Sequence, residues 1–269
     1  MKAIMSWVLL PLSLCLALML THEARAESES KSESKEKSAD AITDAMLELD
    51  PLTYGGAEAR VRMVLVNERG QEQERQAVMM SRRDGDVRRT FVRFLAPTDI
   101  SGTSFLGIDD DGDRVQHIFL PEANRERRIS TRQRNARFVG TDYTYADMDN
   151  RDIEDSTRTR LPDETMDGSE CYVIEAKPTD RRSPHSRIKL WIAKESYLPL
   201  KMQYFNRRDV ETKRYTVSNT GRIDNRWVIM ESRMADLRRN HSTIMRLSEI
   251  EFKTDIPMEQ FTVRALLRE

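Results

Sequence analysis

Apolar and polar positions change period along this chain, and each change marks an element. Residues 38–49 carry Ile42, Ala45, Met46 and Leu49 at helical spacing behind Ser38, which can cap, and Asp50-Pro51 follows. That pattern predicts a short helix. From Ala57 the period falls to two: Ala59, Val61, Met63 and Leu65 alternate with Arg60 and Arg62. Further strand-like stretches follow at 76–82, 87–95, 105–108, 115–120, 171–176, 188–192, 198–205, 215–218, 227–234 and 244–252, with Asp84-Gly85 and Asp111-Gly112 as hairpin turns. Turns between closely spaced strands predict an antiparallel meander rather than a βαβ series. Residues 259–267 have the pattern of a short closing helix.

Many of these strands are apolar on one side only. Ile188, Leu190 and Ile192 alternate with Arg187 and Lys189, and Leu198, Leu200, Met202 and Tyr204 alternate with Lys201 and Gln203. A sheet with one wet face accounts for an apolar share of 38% beside a charged share of 33%. About ten strands with so little helix predict a mainly β (α+β) fold, a strongly curved antiparallel sheet or half-open barrel able to enclose a ligand. Met63, Met79, Met80, Met202, Met230, Met234 and Met245 fall in the strands; thioether side chains either fill an irregular core or adapt to varied apolar ligands.

The N-terminus adds an address. Lys2, an apolar run from Ala3 to Leu20 and the ending Ala24-Arg25-Ala26 form the pattern of a secretory signal peptide cleaved after Ala26. The run is long enough for an uncleaved anchor, but Ser6, Pro11 and Ser13 interrupt it; lipidation at Cys15 is disfavoured by the bulky Leu14 before it. Cleavage leaves Cys171 as the sole cysteine, so this exported chain is stabilised by packing rather than a disulfide. Residues 27–38 contain only Ser, Glu and Lys, the composition of a disordered tether. The folded part is therefore a single domain over 39–269.

Charge and motifs narrow the chemistry. With 44 Lys+Arg against 45 Asp+Glu, the chain lacks the basic excess of a nucleic-acid binder. His117, His185 and His241 are not at metal-ligand spacing, no nucleophile elbow or P-loop occurs, and Asp109 to Asp113 lacks the spaced ligands of a calcium loop. No metal, cofactor or assembled catalytic set is predicted, which favours a binding role over an enzyme. The middle of the chain concentrates charge. Arg125, Arg127, Arg128, Arg132, Arg134 and Arg137 precede Asp142, Asp147, Asp149, Asp152, Glu154 and Asp155. Either the two runs pair with each other or with water, or the arginines form a rim for anionic headgroups or an acidic partner. Between them, residues 138–148 are too aromatic for a solvated loop, and Phe138, Tyr143, Tyr145 and Met148 are candidate lid residues.

Several blocks then resemble one family in the right order. They are His117-Ile118-Phe119-Leu120-Pro121 with Arg127-Arg128-Ile129, the 138–148 segment, Phe94-Leu95-Ala96-Pro97 with Ile100-Ser101-Gly102-Thr103, Leu190-Trp191-Ile192 with Tyr197-Leu198-Pro199-Leu200-Lys201, and Phe261 to Leu266. Together they are similar to outer-membrane lipoprotein-sorting proteins of the LolA-like type, with His117 where an aromatic residue is usual. The resemblance implies a half-open curved β-sheet whose concave face is covered by helices and holds acyl chains or hydrophobic peptides. It also implies a periplasmic carrier of lipid or lipoprotein acyl chains, meeting the membrane only peripherally, in a branch associated with resistance-nodulation-division type exporters. On that reading the candidate lining is Met63, Leu65, Leu190, Ile192, Leu200, Met202, Tyr204, Met230 and Met234. Headgroup or partner contact falls to Arg125, Arg127, Arg128, Arg132 and Arg134. The alternative is a non-carrier adaptor or sensor docking on an exporter or regulator through the same arginines, with no ligand cavity.

Overall fold

A computed structural model describes residues 37–49, 56–253 and 255–268; the predicted export signal and nearly all of the predicted tether lie outside them. The predicted helix is α1 (Ala39–Glu48). The strands are β1 (Ala57–Val66), β2 (Glu72–Asp84), β3 (Val87–Ala96), β4 (Ser104–Asp110), β5 (Asp113–Leu120), β6 (Arg125–Arg128), β7 (Ser156–Met166), β8 (Ser169–Pro178), β9 (Arg187–Ala193), β10 (Pro199–Phe205), β11 (Glu211–Ile223), β12 (Arg226–Asp236) and β13 (His241–Phe252), and all but β6 and β7 contain a predicted alternating stretch. Two single-turn helices complete the set, α2 (Arg151–Glu154) and α3 (Val263–Leu266).

All thirteen strands join one antiparallel sheet, in the order β6-β5-β4-β3-β2-β1-β13-β12-β11-β10-β9-β8-β7. The order consists of two meanders closed against each other by the β1–β13 pair. It also dictates the cover. The first meander ends at one edge, β6, and the second starts at the opposite edge, β7. The connection of residues 129–155 must therefore cross the face of the sheet.

It crosses the inner face beside α1. Ile42, Met46 and Leu47 of α1 pack on Ile174, Ile188, Leu190, Ile192, Met202 and Met234. Ile129, Phe138 and Tyr145 of the connection pack on Val61, Met63, Leu65, Val92, Phe94, Phe105 and Ile118. Cover on one side of both half-sheets bends the sheet around its contents. The outer face is drier than the one-sided alternation predicts. Phe261, Ala265 and Leu266 cover Phe91 and Leu106 there, and Cys171, Val173 and Trp191 form a patch with Leu161, Met166 and Leu200. The C-terminal stretch makes two short turns, Met258–Phe261 and Val263–Leu266, in place of one closing helix.

Candidate functional site

The covering segment is anchored before it can line anything. Phe138 packs edge-on against Phe105 and Tyr145, with ring centroids 5.2 and 5.6 Å away, a favoured aromatic geometry. Val139 follows at φ +46° and Gly140 at φ +78°. The first is strained for a β-branched residue and the second suits glycine. The buried Arg75 of β2 stabilises this turn by donating to the Val139 carbonyl. Asp142 accepts from Thr243 Oγ1 at 2.7 Å and lies 2.7 Å from His241 Nδ1, which ties the segment to β13.

Most of the acidic run pairs with cations outside the preceding arginine run. Asp147 is paired with Lys213 of β11. Buried Arg114 of β5 reaches Asp109 at 3.0 Å, Glu154 at 2.5 Å and Asp155 at 2.6 Å. Arg88 of β3 bridges Asp109 at 2.7 Å and Glu154 at 2.6 Å. The exception to mutual separation is Arg137, whose side chain approaches Asp142. The cover is thus pinned by aromatic packing at one end and by guanidinium–carboxylate bridges at the other.

Between this cover, α1 and the sheet lies a cavity of about 300 Å³, at the lower end of the range usual for ligand sites. Met46 and Leu47 contribute from α1, Val61 and Met79 from the first meander, and Tyr143, Met148 and Ile153 from the cover. The second meander contributes Ile188, Met202, Tyr204, Tyr215, Val228, Ile229, Met234, Met245 and Leu247. Of the lining proposed from sequence, Met202, Tyr204 and Met234 are brought together here. Leu190 and Ile192 point the same way but are wholly buried under α1. Met63 and Leu65 are buried beneath the cover, in the other half of the core. Leu200 is corrected to the outer face, beside Cys171 and Trp191. A register shift between Pro199 and Lys201 breaks the alternation that would have aligned it with Met202. Met230 sits at a second irregularity, between β11 and β12, with its side chain near Gly221. Among the lid candidates, Tyr143 and Met148 line the cavity while Phe138 and Tyr145 anchor the cover.

One end of the cavity is polar. The inner faces of β3, β4 and β5 change from Val92, Phe94, Phe105 and Ile118 to Arg88, Thr90, Gly107, Asp109 and Gln116. Opposite them stand Asp147, Asp149, Asn150 and Asp152. Burial opposes ionisation of Asp147, but the adjacent Lys213 ammonium holds its carboxyl below the usual range. Asp149, although paired with Arg151, is pushed up by burial. Asp152 accepts a hydrogen bond from Ser183 Oγ at 2.8 Å, and burial pushes its carboxyl up to about 6. His185, whose ring lies 5.0 Å from that of Tyr204, is pushed down to about 4 by burial.

Asp152 therefore carries a pH signature. Its folded carboxyl holds a proton more tightly than an ordinary carboxylate, so its contribution is fully present at low pH and lost as pH rises through about 6. Asp152→Asn should stabilise the protein at pH 8 by about 2 kcal/mol, a rise in Tm of several degrees. Near pH 4 the variant should match the parent. Thermal melts at the two pH values check this, and an equal shift at both would contradict it.

The arginine run is placed elsewhere. Arg125, Arg127 and Arg128 form the edge strand β6 and are exposed, as is Arg132 in the following turn. None of these four forms an ion pair with a described residue. Arg134 is half-buried and faces Arg151 and Arg182 across a shallow open depression. Sequence reasoning missed the polar end and Tyr215, Val228, Ile229 and Leu247. The signal was present in the alternation of Arg88, Thr90, Val92 and Phe94, but no pattern says which face turns inward.

The relatives share this architecture. The solved structure of an outer membrane lipoprotein-sorting protein domain from Vibrio parahaemolyticus aligns with a TM-score of 0.79 and 28% identity over 87% of this chain and 99% of its own. A DUF1329 family protein from Desulfovibrio piger aligns at 0.77 and 22% over 86% of this chain and 99% of its own. A LolA superfamily protein from Nitrosomonas europaea aligns at 0.67 and 18% over 85% and 99%. No curated protein matches the chain. A family model described as "Uncharacterized protein"-like matches residues 86–268. The chain belongs to that family and folds as a LolA-like half-barrel.

Proposed function

We propose that the protein is a periplasmic carrier that binds an acyl chain of a lipid or lipoprotein in the cavity between sheet, α1 and covering segment. The observation that carries this reading is the cavity itself, about 300 Å³ walled largely by Met, Leu, Ile, Val and Tyr side chains. An acyl chain gains roughly 0.8 kcal/mol per methylene buried, before the cost of immobilisation. Methionines at Met46, Met79, Met148, Met202, Met234 and Met245 let the wall fit chains of differing shape. The signal-peptide pattern at residues 1–26 and the lipoprotein-sorting relative from Vibrio parahaemolyticus support the compartment and the cargo class. Displacement of a fluorescent acyl probe by decanol tests the reading: saturable displacement supports it, and no binding of either contradicts it.

The exposed edge favours a second role alongside the first. Arg125, Arg127, Arg128 and Arg132 stand on or beside an edge strand without ion-pair partners among the described residues. Charge on an edge discourages strand pairing, and arginines near an anionic membrane contribute about 1 kcal/mol each. We assign them to docking at the membrane or at a resistance-nodulation-division type exporter. The double substitution Arg127→Glu/Arg128→Glu should weaken binding to phosphatidylglycerol vesicles or capture by such an exporter at least about tenfold, with decanol binding intact. Unchanged binding to both would remove the docking role.

A further inference from the structure

The polar end of the cavity holds hydrogen-bond acceptors that the fold does not use. Gln116 is buried, with 6% of its surface exposed, and its amide nitrogen donates to the Tyr145 carbonyl at 2.8 Å and to Asp149 at 3.2 Å. Both neighbours are acceptors, so the amide orientation is fixed. Its carbonyl oxygen Oε1 is then left buried and without a described donor. A buried acceptor in that position costs stability unless something donates to it.

The surrounding charge states what that donor is. Asp109, Asp147, Asp149 and Asp152 line the cavity, against Arg88 as the lining guanidinium. Arg88 is already shared between Asp109 and Glu154, which leaves it poorly placed to receive an anion. Asp109, Asp147 and Asp149 have cationic partners in Arg114, Lys213 and Arg151. Asp152 has the Ser183 hydroxyl alone among described hydrogen-bond partners. With the other three carboxylates paired, an anionic head would meet the Asp152 carboxyl and the Gln116 oxygen, both acceptors; a cationic head would be attracted by the first and donate to both.

We propose that the cavity selects amphiphiles whose head carries hydrogen-bond donors and positive charge, a primary ammonium above all, with the head at Gln116 and Asp152 and the chain toward Met202 and Met234. This rests on the carrier reading and adds to it the chemistry of the head. A free fatty acid is the amphiphile it disfavours.

Three probes with the same chain separate the possibilities: decylammonium, decanol and decanoate, each titrated calorimetrically into the intact protein near pH 7. Decylammonium should bind at least about tenfold more tightly than decanoate, with decanol between. Asp152→Asn and Gln116→Leu should each reduce that advantage to less than about threefold, with thermal melts of each variant reporting that it is folded. Decanoate binding as tightly as decylammonium would overturn the head-group proposal and leave the carrier reading standing. So would an advantage that survives both substitutions. If none of the three binds, the carrier reading itself fails, and this proposal with it.

Discussion

Arg114→Ala should destabilise the protein by about 3–5 kcal/mol, the cost of removing one partner from a buried ionic cluster. The guanidinium is nearly inaccessible and holds three carboxylates at once, Asp109 from β4 and Glu154 and Asp155 from the end of the cover. Removing it leaves Asp109 with Arg88, which must also serve Glu154. For a domain of this size the loss corresponds to a fall in Tm of about 6 °C or more. The effect should be local as well as global. Amide exchange in residues 147–155 should speed up more than exchange in β11 and β12, because Arg114 anchors the cover and not the far half of the sheet. Arg114→Lys should fall between the two, keeping charge but losing the planar fork that reaches separate carboxylates. A melt within about 1 °C of the parent would show that the bridges are dispensable.

Met234→Trp should weaken chain binding by more than about tenfold while leaving the fold intact. Met234 is buried in β12 and lines the cavity opposite the cover. A larger apolar side chain there occupies space that the cargo needs, and it does so without a buried polar group. Excluding two or three methylenes removes roughly 2 kcal/mol of transfer free energy, a loss of about thirtyfold in affinity. Overpacking a filled core usually costs about 1–3 kcal/mol; a substitution into a cavity should cost less. Thermal melts and probe displacement measured together check the pair of outcomes. Retained affinity in a folded variant would place the ligand elsewhere.

The strands that sequence reasoning found and missed divide by position. All eleven stretches with alternating apolar residues became strands, because a half-buried strand imposes that pattern. The two missed are β6, reading Arg125–Arg128, and β7, Ser156–Met166. Both are edges of the sheet, where charge and Pro162 are tolerated and little apolar surface is buried. The cavity was less legible than the sheet. Met202, Tyr204 and Met234 line the cavity because the alternation holds within residues 201–204 and around Met234, whereas Leu200 and Met230 sit at irregularities that leave no mark in composition. The acidic run was visible, but its partners Arg88, Arg114 and Lys213 are brought to it only by the crossing connection. That connection is a consequence of strand order, which pattern alone does not reveal.

The Asp152 and Gln116 end also bears on stability. A carboxyl pushed up to about 6 and a buried acceptor without a described donor both cost the folded state.

Native mass spectrometry of the protein purified from cells without detergent tests directly whether it carries a lipid. Part of the wild-type population should carry one acyl-bearing lipid, and a much smaller part of Met234→Trp should. Wild-type protein free of lipid, or lipid retained equally by the filled-cavity variant, would contradict it.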